Sequence, residues 1–246
     1  MGKVNWWDRN ARKKESSACN AAREAAKKKR QNDRKVVSEV YRYFDNADHA
    51  ASFAQGQVFV STLKRCREYE DPLQGDPEEG FERYNTGGRV IGNGSDPVFV
   101  TLAARAGIHI GPDSVGVTIE NNKRTSYLHD AYVICTTLGF SENDLSETFG
   151  KYCVKITHLE KFCSAVTKAL MLKGELIQVS RGMIVYKERY YQGFDKSPGL
   201  IGFVKPPDKY APQREYRFLW NIPGGAEISP VIIDCPEIVP YVTRVK

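Results

Sequence analysis

Gln213-Arg214-Glu215-Tyr216-Arg217-Phe218-Leu219-Trp220, near the end of the chain, decides how the rest is read. Tyr216, Phe218 and Trp220 alternate with Glu215, Arg217 and Leu219, and a period of two in β-favouring residues predicts a strand with one face on a core. Glu215 and Arg217 then share the other face. Taken alone, that face is a solvated edge on which Glu215 pairs with a neighbouring Lys or Arg. Two upstream stretches offer it another setting. Val40-Tyr41-Arg42-Tyr43-Phe44 reads as a strand, and after a short helix the chain reaches Gly56 and the strand Gln57-Val58-Phe59-Val60-Ser61-Thr62. An Arg, a Ser/Thr pair and a Glu thus fall on separate strands of one expected sheet.

The chain has 246 residues and 41% of them are hydrophobic, enough to bury a sizeable core. The expected class is α+β, with a basic helical arm over residues 1–38 and one domain over 39–246. No apolar run approaches the roughly 20 residues a membrane helix needs, and the basic N-terminus lacks the apolar stretch of a signal peptide, so a cytoplasmic protein is expected. Trp6 stands where N-myristoylation needs Ser or Thr. The six cysteines are scattered, contain no Cys-x-x-Cys and have no His at ligand spacing, which predicts reduced, mostly core thiols and no metal site.

The net charge of +6 is unevenly placed. Residues 1–40 hold twelve Lys/Arg against five acids, an excess of seven, so the remaining residues sum to −1. Residues 9–38 are rich in Ala, Lys, Arg and Glu without Gly or Pro, a strong local helix propensity. Within them Lys27, Lys28, Lys29 and Arg30 suit a DNA or RNA phosphate backbone, or serve as a solvated helix. Trp6 and Trp7 fit docking of the arm better than base stacking, because no aromatic is interleaved with the basic run. Removing residues 1–40 is expected to weaken any nucleic-acid binding and flatten its dependence on salt, since each lost phosphate contact removes its share of counterion release. A titration at several salt concentrations checks this, and an unchanged slope makes the arm a solubility helix.

Asn46–Phe53 reads as a short helix capped by Asp45 or Asn46 and stopped by Gly56. Pro72, Gly75 and Pro77 mark a loop dense in acids, expected to be solvated rather than a metal site. The glycines of residues 85–97 match no phosphate-binding pattern and predict a flexible loop. Val98–Ala103, Val115–Ile119, Tyr132–Thr136, Tyr152–Ile156 and Met183–Tyr191 read as strands, and Leu159–Leu172 as a helix.

The Tyr41-Arg42 strand, the helix with His49 and Phe53, Gly56 and the strand ending Ser61-Thr62 resemble the opening of the ADP-ribosyltransferase superfamily. Gln213-Arg214-Glu215-Tyr216-Arg217-Phe218 resembles its closing Gln-x-Glu strand. The chain also resembles an uncharacterised bacterial family with a Tyr-Arg strand, an Asp-Pro turn (here Asp71-Pro72) and a Glu-Tyr-Arg strand. The likeness covers about residues 38–76 and 200–235. It implies a mixed, mainly antiparallel split sheet, NAD as substrate, and ADP-ribose transfer to a macromolecule, with nucleic acid among the acceptors, or NAD hydrolysis; a non-catalytic nucleic-acid-binding or interaction protein on the same fold is the alternative.

Position by position, the resemblance gives Glu215 and Gln213 to catalysis and Arg42, Tyr43, Ser61, Thr62 and Tyr69 to the dinucleotide. Thr136-Thr137 compete with Ser61-Thr62 for the hydroxyl role. The chemistry suits these types: cleaving the bond from ribose C1′ to nicotinamide passes through an oxocarbenium-like state that a carboxylate opposes, and a guanidinium grips a pyrophosphate with two parallel hydrogen bonds.

Overall fold

The computed structural model describes residues 37–70, 75–140, 149–172, 178–224 and 227–246. The basic run Lys27–Arg30, Trp6, Trp7 and the Asp71-Pro72 turn lie outside the described residues.

In chain order, strand β1 (Glu39–Phe44) leads to helix α1 (Ala47–Ala54), strand β2 (Gln57–Thr62) and helix α2 (Leu63–Arg67). Strands β3 (Phe81–Asn85) and β4 (Arg89–Gly92) precede helix α3 (Pro97–Arg105). Strands β5 (Val117–Glu120), β6 (Lys123–Tyr127), β7 (Ala131–Thr137) and β8 (Tyr152–Thr157) follow, then helix α4 (Leu159–Met171). The last part holds β9 (Gln178–Met183), β10 (Val185–Tyr186), β11 (Tyr190–Gln192), β12 (Val204–Lys205), helix α5 (Pro207–Tyr210), β13 (Glu215–Asn221), β14 (Val231–Asp234) and β15 (Val242–Arg244). The class is α+β, and every pairing within the main sheet is antiparallel.

The main sheet forks. One edge of β7 is taken along its whole length by β13, from Glu215 opposite Thr137 to Asn221 opposite Ala131, and β13 in turn pairs β9. The other edge is shared. Ser61 and Thr62 of β2 lie opposite Val133 and Tyr132, whereas β1 meets β7 at Tyr41 opposite Thr137. From there β1 continues into β8 and β15, and β2 into β14. A gap therefore opens between β1 and β2 beside the middle of β7.

Local chemistry sets the frame of the fork. The Asn46 side chain accepts from the Asp48 N–H to start α1, and Gly56 at φ +99° ends it where a Cβ would stand 2.9 Å from Pro236 Cα. On the α1 side of the sheet, Phe53, Phe162 and Phe218 form a chain of ring contacts. Trp220 is fully buried there and donates its indole N–H to Thr167 at 2.8 Å.

Four expectations are corrected. Val98–Ala103 belongs to helix α3, because Asp96 accepts from the Val98 N–H and Pro97 opens the first turn, with Phe99, Leu102 and Ala103 buried at helical spacing. The loop over residues 85–97 contains β4, which pairs β5. Met183–Tyr191 breaks into the end of β9, then β10 and the start of β11. The strand carrying Glu215 has no solvated face: Arg217 is 0% and Glu215 4% exposed, because β13 lies between two strands and is covered on both sides.

Candidate functional site

A cleft of about 710 Å³ runs through the fork. Its walls carry Arg42, Phe44, His49 and Phe53 from β1 and α1, Ser61 from β2, and Cys66, Cys135, Glu79, Lys205, Glu215 and Arg217 from the floor and far side. Strand alternation sends Arg42 and Glu215 out on opposite sides of the sheet, since Tyr41, Thr137 and Glu215 form one cross-strand row and Arg42 is the next residue. The cleft meets both because it passes between β1 and β2.

Arg42 bridges the gap. Its Nη2 donates to the Phe59 carbonyl of β2 at 3.0 Å, and its guanidinium lies 5.3 Å and 5.0 Å from the ring centres of Phe44 and Phe53. Its Nη1 is sealed from solvent yet has no hydrogen-bond partner, and no carboxylate of the described residues pairs with the group. Burial lowers its pKa to about 10, so the cation persists at neutral pH. A buried guanidinium without a counter-ion is costly, and an anionic ligand would relieve that cost.

Glu215 has the opposite surroundings. Its Oε1 accepts from Arg217 Nε at 2.7 Å, its Oε2 sits 2.8 Å from Lys205 Nζ, and its own N–H donates to the Tyr186 hydroxyl. Burial by itself would raise its pKa, but Arg217 and then Lys205 outweigh burial and hold it down at about 2. The pairing extends further. Arg217 also donates to both oxygens of Glu79, at 2.8 Å and 3.1 Å, and to the Gly202 carbonyl. Arg189 forms a two-pronged pair with Asp76 and lies 3.9 Å from Glu79. Three carboxylates and three cations, all buried, thus balance one another under the cleft.

The other expected site residues divide. Ser61, Tyr43, Tyr69 and Gln213 line the cleft, with Tyr43 stacked parallel on Phe140 and Tyr69 largely exposed. Thr62 is corrected: it is buried and its hydroxyl accepts from Arg65 N–H as the cap of α2. Thr136 and Thr137 line the cleft but spend their hydroxyls on the carbonyls of Tyr216 and Gly139. The acid-rich loop is corrected in part, because Asp76 and Glu79 are buried ion partners while Glu78 faces Arg83 near the surface. Sequence reasoning missed Lys205, Glu79 and Arg189. The available signal was Arg217 itself, a charge alternating into a strand of large aromatics, although nothing nearby in sequence names its partners.

Among the described residues no group of His, Cys, Asp or Glu is arranged to hold a metal ion, and no helix is long and apolar enough to cross a membrane. Comparison with family models, curated proteins and solved structures finds no match to this chain.

Proposed function

We propose that the forked cleft binds NAD and that the chain is an ADP-ribosyltransferase acting on a macromolecular acceptor, or an NAD glycohydrolase when water takes that place. The observation that carries the reading is the Arg42 guanidinium, with Nη1 unsatisfied and no carboxylate partner among the described residues, in the same cleft as the ionised Glu215. Arg42 suits the pyrophosphate by its charge, and its unsatisfied Nη1 favours a side-chain shift that turns the guanidinium towards an anion in the cleft. Tyr43, Phe44 and Tyr69 offer ring faces to the bases. An ionised carboxylate has about four acceptor sites, and Lys205 and Arg217 take one on each Glu215 oxygen. A ribose hydroxyl can therefore donate to Glu215 without displacing either cation. Because Glu215 stays charged well below neutral pH, it opposes positive charge developing at C1′.

Incubation of the full chain with NAD, followed by chromatography for free nicotinamide, tests the reading. Nicotinamide release is expected, in proportion to enzyme and time. No release with any acceptor, together with no NAD binding by calorimetry, overturns it. A second reading is favoured by the two cations already holding Glu215: the cleft binds a nucleotide without turning it over. Binding without release distinguishes that case.

A further inference from the structure

The three-stranded sheet β11-β3-β6 has one covered face and one open face. On the covered face Tyr84 is buried and packs against Tyr191, with 5.1 Å between ring centres. Residues one step along each strand point the other way. There Phe81 lies beside Tyr127, Arg83 between Tyr190 and Thr125, and Asn85 between Gln192 and Lys123. Phe81 and Tyr127 are stacked, 24° apart at 5.7 Å between centres. This side is open to solvent: Tyr127 is 53% and Tyr190 52% exposed, and Arg83, Lys123, Thr125 and Gln192 are exposed with them.

We propose that this open face is a platform for single-stranded nucleic acid. Three rings offer π-faces on which bases stack whatever their sequence, and Arg83 and Lys123 stand among them to meet the phosphates. The three rows contain no aliphatic side chain and no carboxylate. What remains is a hydroxyl and two amides, groups that bond phosphate oxygens and base edges. The basic arm lacks aromatics interleaved along its sequence; here the interleaving is made across strands, by the register of β3 with β6 and β11.

One carboxylate does reach this face from outside the rows. Glu78, in the turn before β3, accepts from Arg83 at 2.9 Å and 2.6 Å, with both side chains about half exposed. An exposed pair of this kind contributes little, so a phosphate can take the place of Glu78 on the guanidinium at small cost. A duplex keeps its bases stacked within itself and cannot offer their faces to the rings, which makes the platform selective for single strands. Its position is also set. β3 begins two residues after Glu79, which lines the cleft, and two residues span no more than about 7 Å, so the platform abuts the cleft.

The test uses the full chain with fluorescently labelled oligothymidine and oligouridine, and does not depend on whether NAD is the ligand of the cleft. Binding is expected by fluorescence polarisation, and the tighter of the two oligonucleotides shows whether the 2′-hydroxyl is read. Tyr127→Ala and Tyr190→Ala should each lower the affinity about tenfold, with the urea midpoint and the salt dependence unchanged. Lys123→Ala should instead lessen the salt slope by about one phosphate contact. Ultraviolet crosslinking of a thiouridine oligonucleotide to the unaltered chain needs no variant, and the crosslinks should fall in Phe81–Asn85, Lys123–Tyr127 or Tyr190–Gln192. No binding of either oligonucleotide, unchanged affinity in both tyrosine variants, or crosslinks confined to residues 1–40 overturns the proposal.

Discussion

Glu215→Gln is expected to leave NAD binding within a few-fold while turnover falls by roughly a hundredfold or more, the scale of losing one preorganised electrostatic group. Gln keeps the size and an acceptor oxygen but removes the charge that opposes the oxocarbenium ion. Arg42→Ala should act at an earlier stage. Without the guanidinium that spans the fork, ground-state binding weakens, so KM rises as kcat/KM falls. Calorimetry with NAD and a steady-state nicotinamide assay on both variants separate the two effects. If Glu215→Gln leaves turnover intact, or if both substitutions change only Tm, the residues are structural and the enzyme reading is dropped.

Arg217→Met carries the largest expected effect on stability. The guanidinium is fully buried and holds Glu79 and Glu215 together, so its removal leaves two carboxylates with Lys205 and the more distant Arg189 for compensation. Breaking a buried pair at one partner costs about 3–5 kcal/mol, a large share of the roughly 5–15 kcal/mol that holds an ordinary domain folded. Urea denaturation measures it, and a loss below about 1 kcal/mol, the size of an exposed pair, contradicts the buried network.

The same network sets an acid limit. Glu215 has a folded pKa below its unfolded value, so its contribution to stability is fully present above about 4.5 and is lost as the pH falls from there through about 2. Urea midpoints measured across that range should fall with pH, and less steeply in Glu215→Gln.

How legible the molecule was depends on the distance over which each feature is decided. β1, α1, β2 and β13 are written locally, in alternation and in the Asn46 and Gly56 signals, and they stand where expected. Val98–Ala103 also carried its own signal, since Asp96-Pro97 is a cap followed by a first-turn proline, but its apolar run fits a strand equally well. Burial of β13 on both faces could not be read locally. It follows from β9 and β7 flanking it and from Glu79 and Lys205 arriving from distant segments. For Arg42, the strand was legible and the lack of a carboxylate partner among the described residues was not, because that requires knowing which acids come near.

The order of strands also bears on how the chain is made. Val60 pairs with Val231, and Val154 with Arg244, so both arms of the fork are finished by residues at the far end of the sequence. During synthesis at about 5–20 residues per second, β2 and β8 each wait for a partner that is made much later. Until then each presents an unpaired edge, a template for other chains. Such long-range closure folds slowly, on the order of milliseconds to seconds for sheet proteins rich in distant pairings. A nascent chain stalled before Val231 should accordingly be held by chaperones, and one in which β14 and β15 have emerged should be let go.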